Sequence, residues 1–231
     1  MRVVRAAACV LVILAADTSP AQAQIRVGNV APHFGSWEVS GGASWSAGID
    51  LGSRAAEETR NPGTGTGAFP LFQSSSKVAS VTDAVVRLGF YLSHAVTMEG
   101  GLHYLRPVVS TRLTGDAEQA PEITATETLT RLVVEGSVVF HLQKLAFAGG
   151  RAVPFVSGGG GYLRDLHEAN ELIETGTEYH AGAGLKFWFG QGAHRLGVRA
   201  DVGASMRDGG FDFRETRRTL PTAGIGLAYL F

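Results

Sequence analysis

The end of this chain constrains its fold more than any other stretch. Across Thr219–Phe231, the alternate residues Ala223, Ile225, Leu227, Tyr229 and Phe231 are apolar. Thr222, Gly224, Gly226, Ala228 and Leu230 lie between them. Successive side chains of a strand point to opposite faces, so this pattern puts one apolar and one small or mixed face on a single strand. A soluble sandwich would rarely finish by alternating into a terminal Phe.

Seven more segments repeat the pattern. Ser36–Ala47 sets Trp37, Val39, Ala43, Trp45 and Ala47 against Glu38, Ser40, Gly42, Ser44 and Ser46. Asp83–Ser93 sets Ala84, Val86, Leu88, Phe90 and Leu92 against Arg87, Gly89 and Tyr91. Ala95–Arg106 sets Val96, Met98, Leu102 and Tyr104 against Thr97, Glu99 and His103. Thr128–Leu142 sets Leu132, Val134, Val138, Phe140 and Leu142 against Arg131, Glu135, Ser137 and His141. Ala152–Leu163 is glycine-rich and does not declare its register. Thr177–Phe189 sets Tyr179, Ala181, Ala183, Leu185, Phe187 and Phe189 against His180, Gly182, Gly184, Lys186 and Trp188. Arg195–Ser205 sets Leu196, Val198, Ala200, Val202 and Ala204 against Arg199, Asp201 and Ser205. Segments of about ten residues, apolar on one face and polar on the other, are the signature of a transmembrane β-barrel.

The connections alternate in length. Gly48–Thr82, Pro107–Glu127, Arg164–Gly176 and Met206–Arg218 are long. The turn at Ser93-His94, the segment Gln143–Arg151 and the turn Gly190–His194 are shorter. Outer-membrane barrels have short periplasmic turns and long external loops. The expected fold is therefore all-β: an eight-stranded antiparallel transmembrane β-barrel, an up-and-down meander with both ends in the periplasm. Ten strands are the alternative, because Gly48–Thr82 could hide a hairpin extension. Asn61–Gly67 and Arg207–Gly210 read as glycine-rich loop, and Asp165–Glu174 could form a short helix.

The other end of the chain is consistent with export. Arg2 and Arg5 precede the apolar run Ala6–Ala16, and Ala21-Gln22-Ala23 supplies a small-x-small cleavage pattern. Residues 1–23 are expected to be a signal peptide and 24–231 the outer-membrane barrel. The single cysteine, Cys9, lies in the leader, so the mature chain is expected to have no thiol chemistry. Charge is sparse at 18% and nearly balanced, with 20 Lys+Arg against 21 Asp+Glu. Nucleic acid is excluded as a partner, since phosphate binding needs a concentrated basic surface.

In this register the lumen receives Glu38, Arg87, Glu99, Arg131, Glu135, Lys186, Arg199 and Asp201. Four acids and four bases in a narrow barrel read as a self-neutralising ion-pair network, because buried charges are costly unless paired. An eight-stranded interior is just wide enough for side chains to fill, which favours a plug over a pore. Trp37, Phe90, Phe187, Phe189, Tyr229 and Phe231 fall near the periplasmic strand ends, with Trp45 and Tyr104 near the external side, as in an aromatic girdle.

The hairpins VVRLGFYLSHAVTMEGGLHYLR (Val85–Arg106) and LKFWFGQGAHRLGVRADVG (Leu185–Gly203), with the closing GIGLAYLF, resemble small outer-membrane barrels of OmpA-like and OmpX-like architecture. That resemblance implies insertion by the outer-membrane assembly machinery, with Ile225, Leu227, Tyr229 and Phe231 as the C-terminal assembly signal. It transfers no catalytic site.

The residues carry little chemistry of their own. No HExxH, CxxC, GxSxG or P-loop pattern occurs, and Gly158–Gly161 lacks the Lys-Ser/Thr of a phosphate loop. His103 and His180 read as lumen hydrogen-bonding residues. Glu168, Glu171 and Glu174 read as a solvated loop. The chain is therefore expected to be a non-enzymatic outer-membrane protein without metal or cofactor, a monomer in contact with lipid and lipopolysaccharide. Its barrel would be a scaffold for external loops that serve envelope integrity or surface interaction. A small gated, porin-like channel and a lipid A-modifying enzyme are the alternatives.

Overall fold

The computed structural model describes residues 32–58, 69–116, 120–167, 173–190, 192, 194–209 and 218–231. The leader at 1–23, the glycine-rich run at 61–67, and Glu168 and Glu171 lie outside them. The described residues form β1 (Trp37–Ser46), β2 (Ile49–Glu58), β3 (Phe69–Val78), β4 (Val81–Tyr91), β5 (Val96–Leu105) and β6 (Val108–Thr114). Then follow β7 (Ile123–Thr128), β8 (Thr130–His141), β9 (Ala152–Leu166), β10 (Ile173–Phe189), β11 (Arg195–Gly209) and β12 (Arg218–Leu230).

Eight strands, in the order β1-β12-β11-β10-β9-β8-β5-β4, close into an antiparallel barrel. The seam is made by β1, which pairs with β12 (Glu38↔Leu230) on one side and β4 (Trp37↔Phe90) on the other. Both ends of the barrel sequence therefore meet at the tight-turn end. The eight strands coincide with the eight alternating segments, so the expected count of eight holds and the alternative of ten falls away.

The long-loop end differs from expectation. Gly48–Thr82 and Pro107–Glu127 do hold hairpins, but these add nothing to the wall. They form a second sheet in the order β2-β3-β6-β7. That order matches the wall order β1-β4-β5-β8, so each of these wall strands resumes beyond a short break. The breaks fall at Ala47-Gly48, Ala79-Ser80, Arg106-Pro107 and Leu129. Pro107 has no N–H to give to a ladder, which interrupts pairing at its level. Bonds bridge the break line, with Ala79 N–H donating to Val108 O and Leu129 N–H to Pro107 O. On the opposite wall, β9, β10 and β11 run to 15, 17 and 15 residues. They absorb Asp165, Leu166, Ile173 and Glu174, so strand replaces the expected short helix there. They also absorb Arg207–Gly209, where the composition predicts a loop.

The tight-turn end is held by local bonds. Ser93 Oγ accepts the N–H groups of Ala95 and Val96 and closes the β4–β5 turn. Between β8 and β9 lies a single 3-10 turn, Gln143–Leu145. There Gln143 Nε2 donates to His94 O in the neighbouring turn.

The faces of the wall are inverted relative to a water-soluble barrel. Val86, Leu102, Val134, Val202, Ile225 and Leu227 point outward and are 50–63% exposed. Glu38, Glu99, Lys186 and Arg199 point inward and are 5% exposed or less. Two apolar clusters also lie inside, Tyr91–Val153–Trp188–Ala228–Leu230 toward the tight turns and Leu105–Val133–Leu163 toward the long loops. A wall this narrow must curl sharply, and glycine permits the close approach. A Cβ on Gly42 would stand 2.2 Å from Ile225 O across the β1–β12 seam.

Candidate functional site

Polar and charged side chains fill the lumen in layers, and the strand register places each one. Nearest the tight turns, Tyr91 stacks on His141 with ring centroids 5.3 Å apart, and His141 Nε2 lies 3.0 Å from Thr97 Oγ1. Tyr91 donates its hydroxyl to Glu38 Oε2 at 2.6 Å. Arg195 lies over the Trp188 ring at 5.5 Å.

The next layer crosses the whole barrel. Lys186 Nζ donates to Glu38 Oε1 at 2.7 Å and reaches Glu99 Oε1 at 3.3 Å. Arg199 Nη1 holds Glu99 through both oxygens at 2.9 and 2.7 Å, while its Nε donates to Asp201 at 3.0 Å. Phe155 fills the remaining space. Its ring lies 5.6 Å from Lys186 Nζ and 4.7 Å from Arg199 Cζ, a cation–π arrangement on both sides. Room for the ring comes from Gly184 on the adjacent strand, where a Cβ would stand 2.5 Å from Phe155 Cζ.

Toward the long loops a third layer forms around Glu135. Arg87 Nε lies 3.6 Å from Oε1, His103 Nε2 3.0 Å from Oε1 and His180 Nδ1 3.3 Å from Oε2. His103 Nδ1 is 2.5 Å from Asp83 Oδ2. Higher still, Arg207 Nε pairs with Glu178 at 2.7 Å. Arg131 grips Asp165 through two bonds of 2.5 and 2.6 Å. A cavity of about 70 Å³ lies in this half of the barrel, between the Arg199–Asp201 pair and the Arg207–Glu178 pair.

All eight charged residues proposed for the lumen point inward, but they do not form one network. Glu38, Glu99, Lys186, Arg199 and Asp201 make a continuous chain. Arg87 and Glu135 belong to the histidine layer. Arg131 pairs instead with Asp165, which lies where the sequence predicts a connection. Asp83, Glu178 and Arg207 were also missed as lumen charges. Phe155 was missed because the register of its glycine-rich strand was open. The C-terminal set Ile225, Leu227, Tyr229 and Phe231 faces outward, 42–63% exposed. Among the described residues, no three of His, Cys, Asp and Glu gather closely enough to hold a metal ion.

The outward aromatics cluster at the two rims. Trp37 and Phe90 (4.9 Å), Phe187 and Phe189 (5.3 Å) and Tyr229 and Phe231 (6.1 Å) pair at the tight-turn rim. Trp45, Tyr104, Tyr162 and Tyr179 stand toward the other rim, 42–53% exposed.

No family model matches the sequence, and no curated protein matches it. Among solved structures, the outer membrane protein OprG from Pseudomonas aeruginosa superimposes with a TM-score of 0.51 at 10% identity, over 88% of this chain and 99% of OprG. The chain has the fold of a small outer-membrane β-barrel. Two further barrels are similar at lower superposition. The N-terminal barrel domain of P. aeruginosa OprF has a TM-score of 0.39 at 15% identity, over 87% of this chain and all of that domain. The attachment invasion locus protein Ail of Yersinia pestis has a TM-score of 0.42 at 12% identity, over 86% of this chain and 99% of Ail. Within this outer-membrane fold, the layered lumen sets what the barrel can do: its wall is polar inside, and a continuous layer of paired charges and one aromatic ring crosses it.

Proposed function

We propose that the protein is a non-enzymatic outer-membrane barrel, exported by the leader at residues 1–23, whose plugged lumen is a scaffold for the sheet β2-β3-β6-β7 and the neighbouring loops outside the cell. The observation that carries this reading is the outward apolar belt. A contiguous exposed apolar face of this extent is an aggregation liability in water and the natural surface for a hydrocarbon solvent. Wall strands β1, β4 and β5, of 10 or 11 residues, have the length that a tilted strand needs to cross a bilayer, about 9–11 residues. The tight-turn end then faces the periplasm and the second sheet faces outward. The C-terminal strand, with Ile225, Leu227, Tyr229 and Phe231 on its lipid face, is the segment offered to the assembly machinery. Lipid and lipopolysaccharide are its surroundings, and the barrel works as a monomer.

The layer of Glu38, Lys186, Glu99, Arg199 and Phe155 favours a plug over an open channel. The test of the membrane assignment is heat modifiability in the outer-membrane fraction. The folded barrel should migrate at a different apparent mass until boiled. Recovery in the soluble periplasmic fraction with no shift on boiling would remove the assignment.

A further inference from the structure

We propose that the cavity in the long-loop half of the barrel is a binding site for a small, uncharged, polyhydroxylated solute of about glycerol size. The inference rests on the barrel fold and the lumen geometry, not on the scaffold role.

Three buried polar atoms on its wall have no hydrogen-bond partner: Ser205 Oγ, His103 Nε2 and His180 Nδ1. Ser205 is 1% exposed. The two imidazole nitrogens stand near the oxygens of Glu135 without the alignment of a hydrogen bond. Buried polar groups are normally satisfied, so the open Ser205 hydroxyl, beside two imidazole nitrogens held only by charge to Glu135, calls for a polar occupant. Register brings them together, since His180 pairs with Ser205 across β10 and β11. The same wall carries the hydroxyls of Ser44, Ser46, Ser137, Ser157 and Thr222, with Ser46 opposite Thr222 across the seam.

The charges on the wall decide the class of ligand. Glu135 faces Arg87, Asp83 faces His103, Asp201 faces Arg199 and Glu178 faces Arg207. An ionic ligand would have to draw one partner out of such a pair and leave a buried charge uncompensated. The unspent capacity is instead neutral: hydroxyls that both donate and accept. A volume of about 70 Å³ holds about five water-sized positions at roughly 10–15 Å³ each. A triol can replace most of those waters at once and reproduce their bonds.

The test is a titration of the full-length, detergent-folded protein with glycerol, followed by NMR of labelled protein. Saturable shifts are expected at Ser46, Ser157, His180 and Ser205, weakened at least tenfold in Ser205→Val and in Ser157→Val. The second variant covers the case in which the first fails to fold, and each is checked for a heat-modifiable band. Glycolate and ethanolammonium at the same concentration should not reproduce the shifts. Glycerol shifts that do not saturate, or that persist unchanged in a folded variant, would overturn the site. Equal binding of either ion would overturn its neutral character.

Discussion

Lys186 and Glu38 are 148 residues apart in sequence, yet Lys186 Nζ lies 2.7 Å from Glu38 Oε1 and the two side chains are only 1% and 2% exposed. The lysine also reaches Glu99, so a single cation ties two acids on separate wall strands. Removing it leaves two carboxylates buried with less compensation. Lys186→Met is expected to cost about 3–5 kcal/mol, the usual penalty for stranding a buried charge. Urea titration of the folded band would measure it. Adding Glu38→Gln to Lys186→Met should recover part of the loss, because it removes one stranded charge.

Phe155 and Gly184 form a second dependent pair. The ring occupies the space where a Gly184 side chain would stand, and Ala200 O lies 2.4 Å from the same point. Gly184→Val should therefore prevent a stable barrel or lower its stability by about 1–3 kcal/mol, as overpacking does. Phe155→Ala should cost about 3–5 kcal/mol through the cavity it leaves. Combining Gly184→Ala with Phe155→Ala should be less harmful than the sum of the two, which thermal melts of the four proteins would show.

The crossing layer of charges should keep the lumen shut. In planar bilayers the wild-type barrel is expected to give no steady conductance at neutral pH. Discrete, reproducible steps would favour the channel reading over the plug.

The second sheet should be dispensable for the wall, since its strands pair with one another and not with the barrel. Replacing residues 49–78 and 108–128 by short turns should preserve the heat-modifiable band. Loss of the folded band would mean that the sheet is needed to close β1, β4, β5 and β8.

The wall was legible in the sequence because one of its faces must be uniformly apolar along its whole length. Val86, Leu88, Met98, Leu102, Val134 and Phe140 kept the period of two unmistakable. The signal fades where that demand ends. Beyond the long-loop rim the outward residues include Thr175 and Asp208, so the extensions of β9 and β11 read as loop and Asp165 and Arg207 stay unassigned, while Glu178 falls at the polar end of the segment Thr177–Phe189. In β9, Gly158–Gly161 carries no side chains to show parity, which hid Phe155. The second sheet, with stretches such as SRAAEE, QSSSK and ITATET, sustains no apolar alternation along the length of a strand. The candidate lumen charges were found by parity alone, but parity cannot say which acid meets which base. That depends on the register across the barrel.

If the outward face meets hydrocarbon, a charge placed there is penalised by depth. Val134→Arg, in the middle of β8 on that face, should lower stability in lipid by about 2–4 kcal/mol. Folding into vesicles followed by urea titration would give the figure, and a neutral effect would argue against a lipid-facing Val134.

The chain's three tryptophans offer the most direct measurement of that claim. Trp37 and Trp45 point outward and are 41% and 42% exposed, whereas Trp188 points into the lumen at 3%. Single-tryptophan proteins, made by Trp→Phe changes at the other two positions, can be folded into vesicles containing brominated lipid. Fluorescence of the Trp37 and Trp45 proteins should be strongly quenched by the bromines and that of the Trp188 protein largely spared. Quenching of Trp188 alone, or of none of the three, would contradict a lipid-facing outer wall.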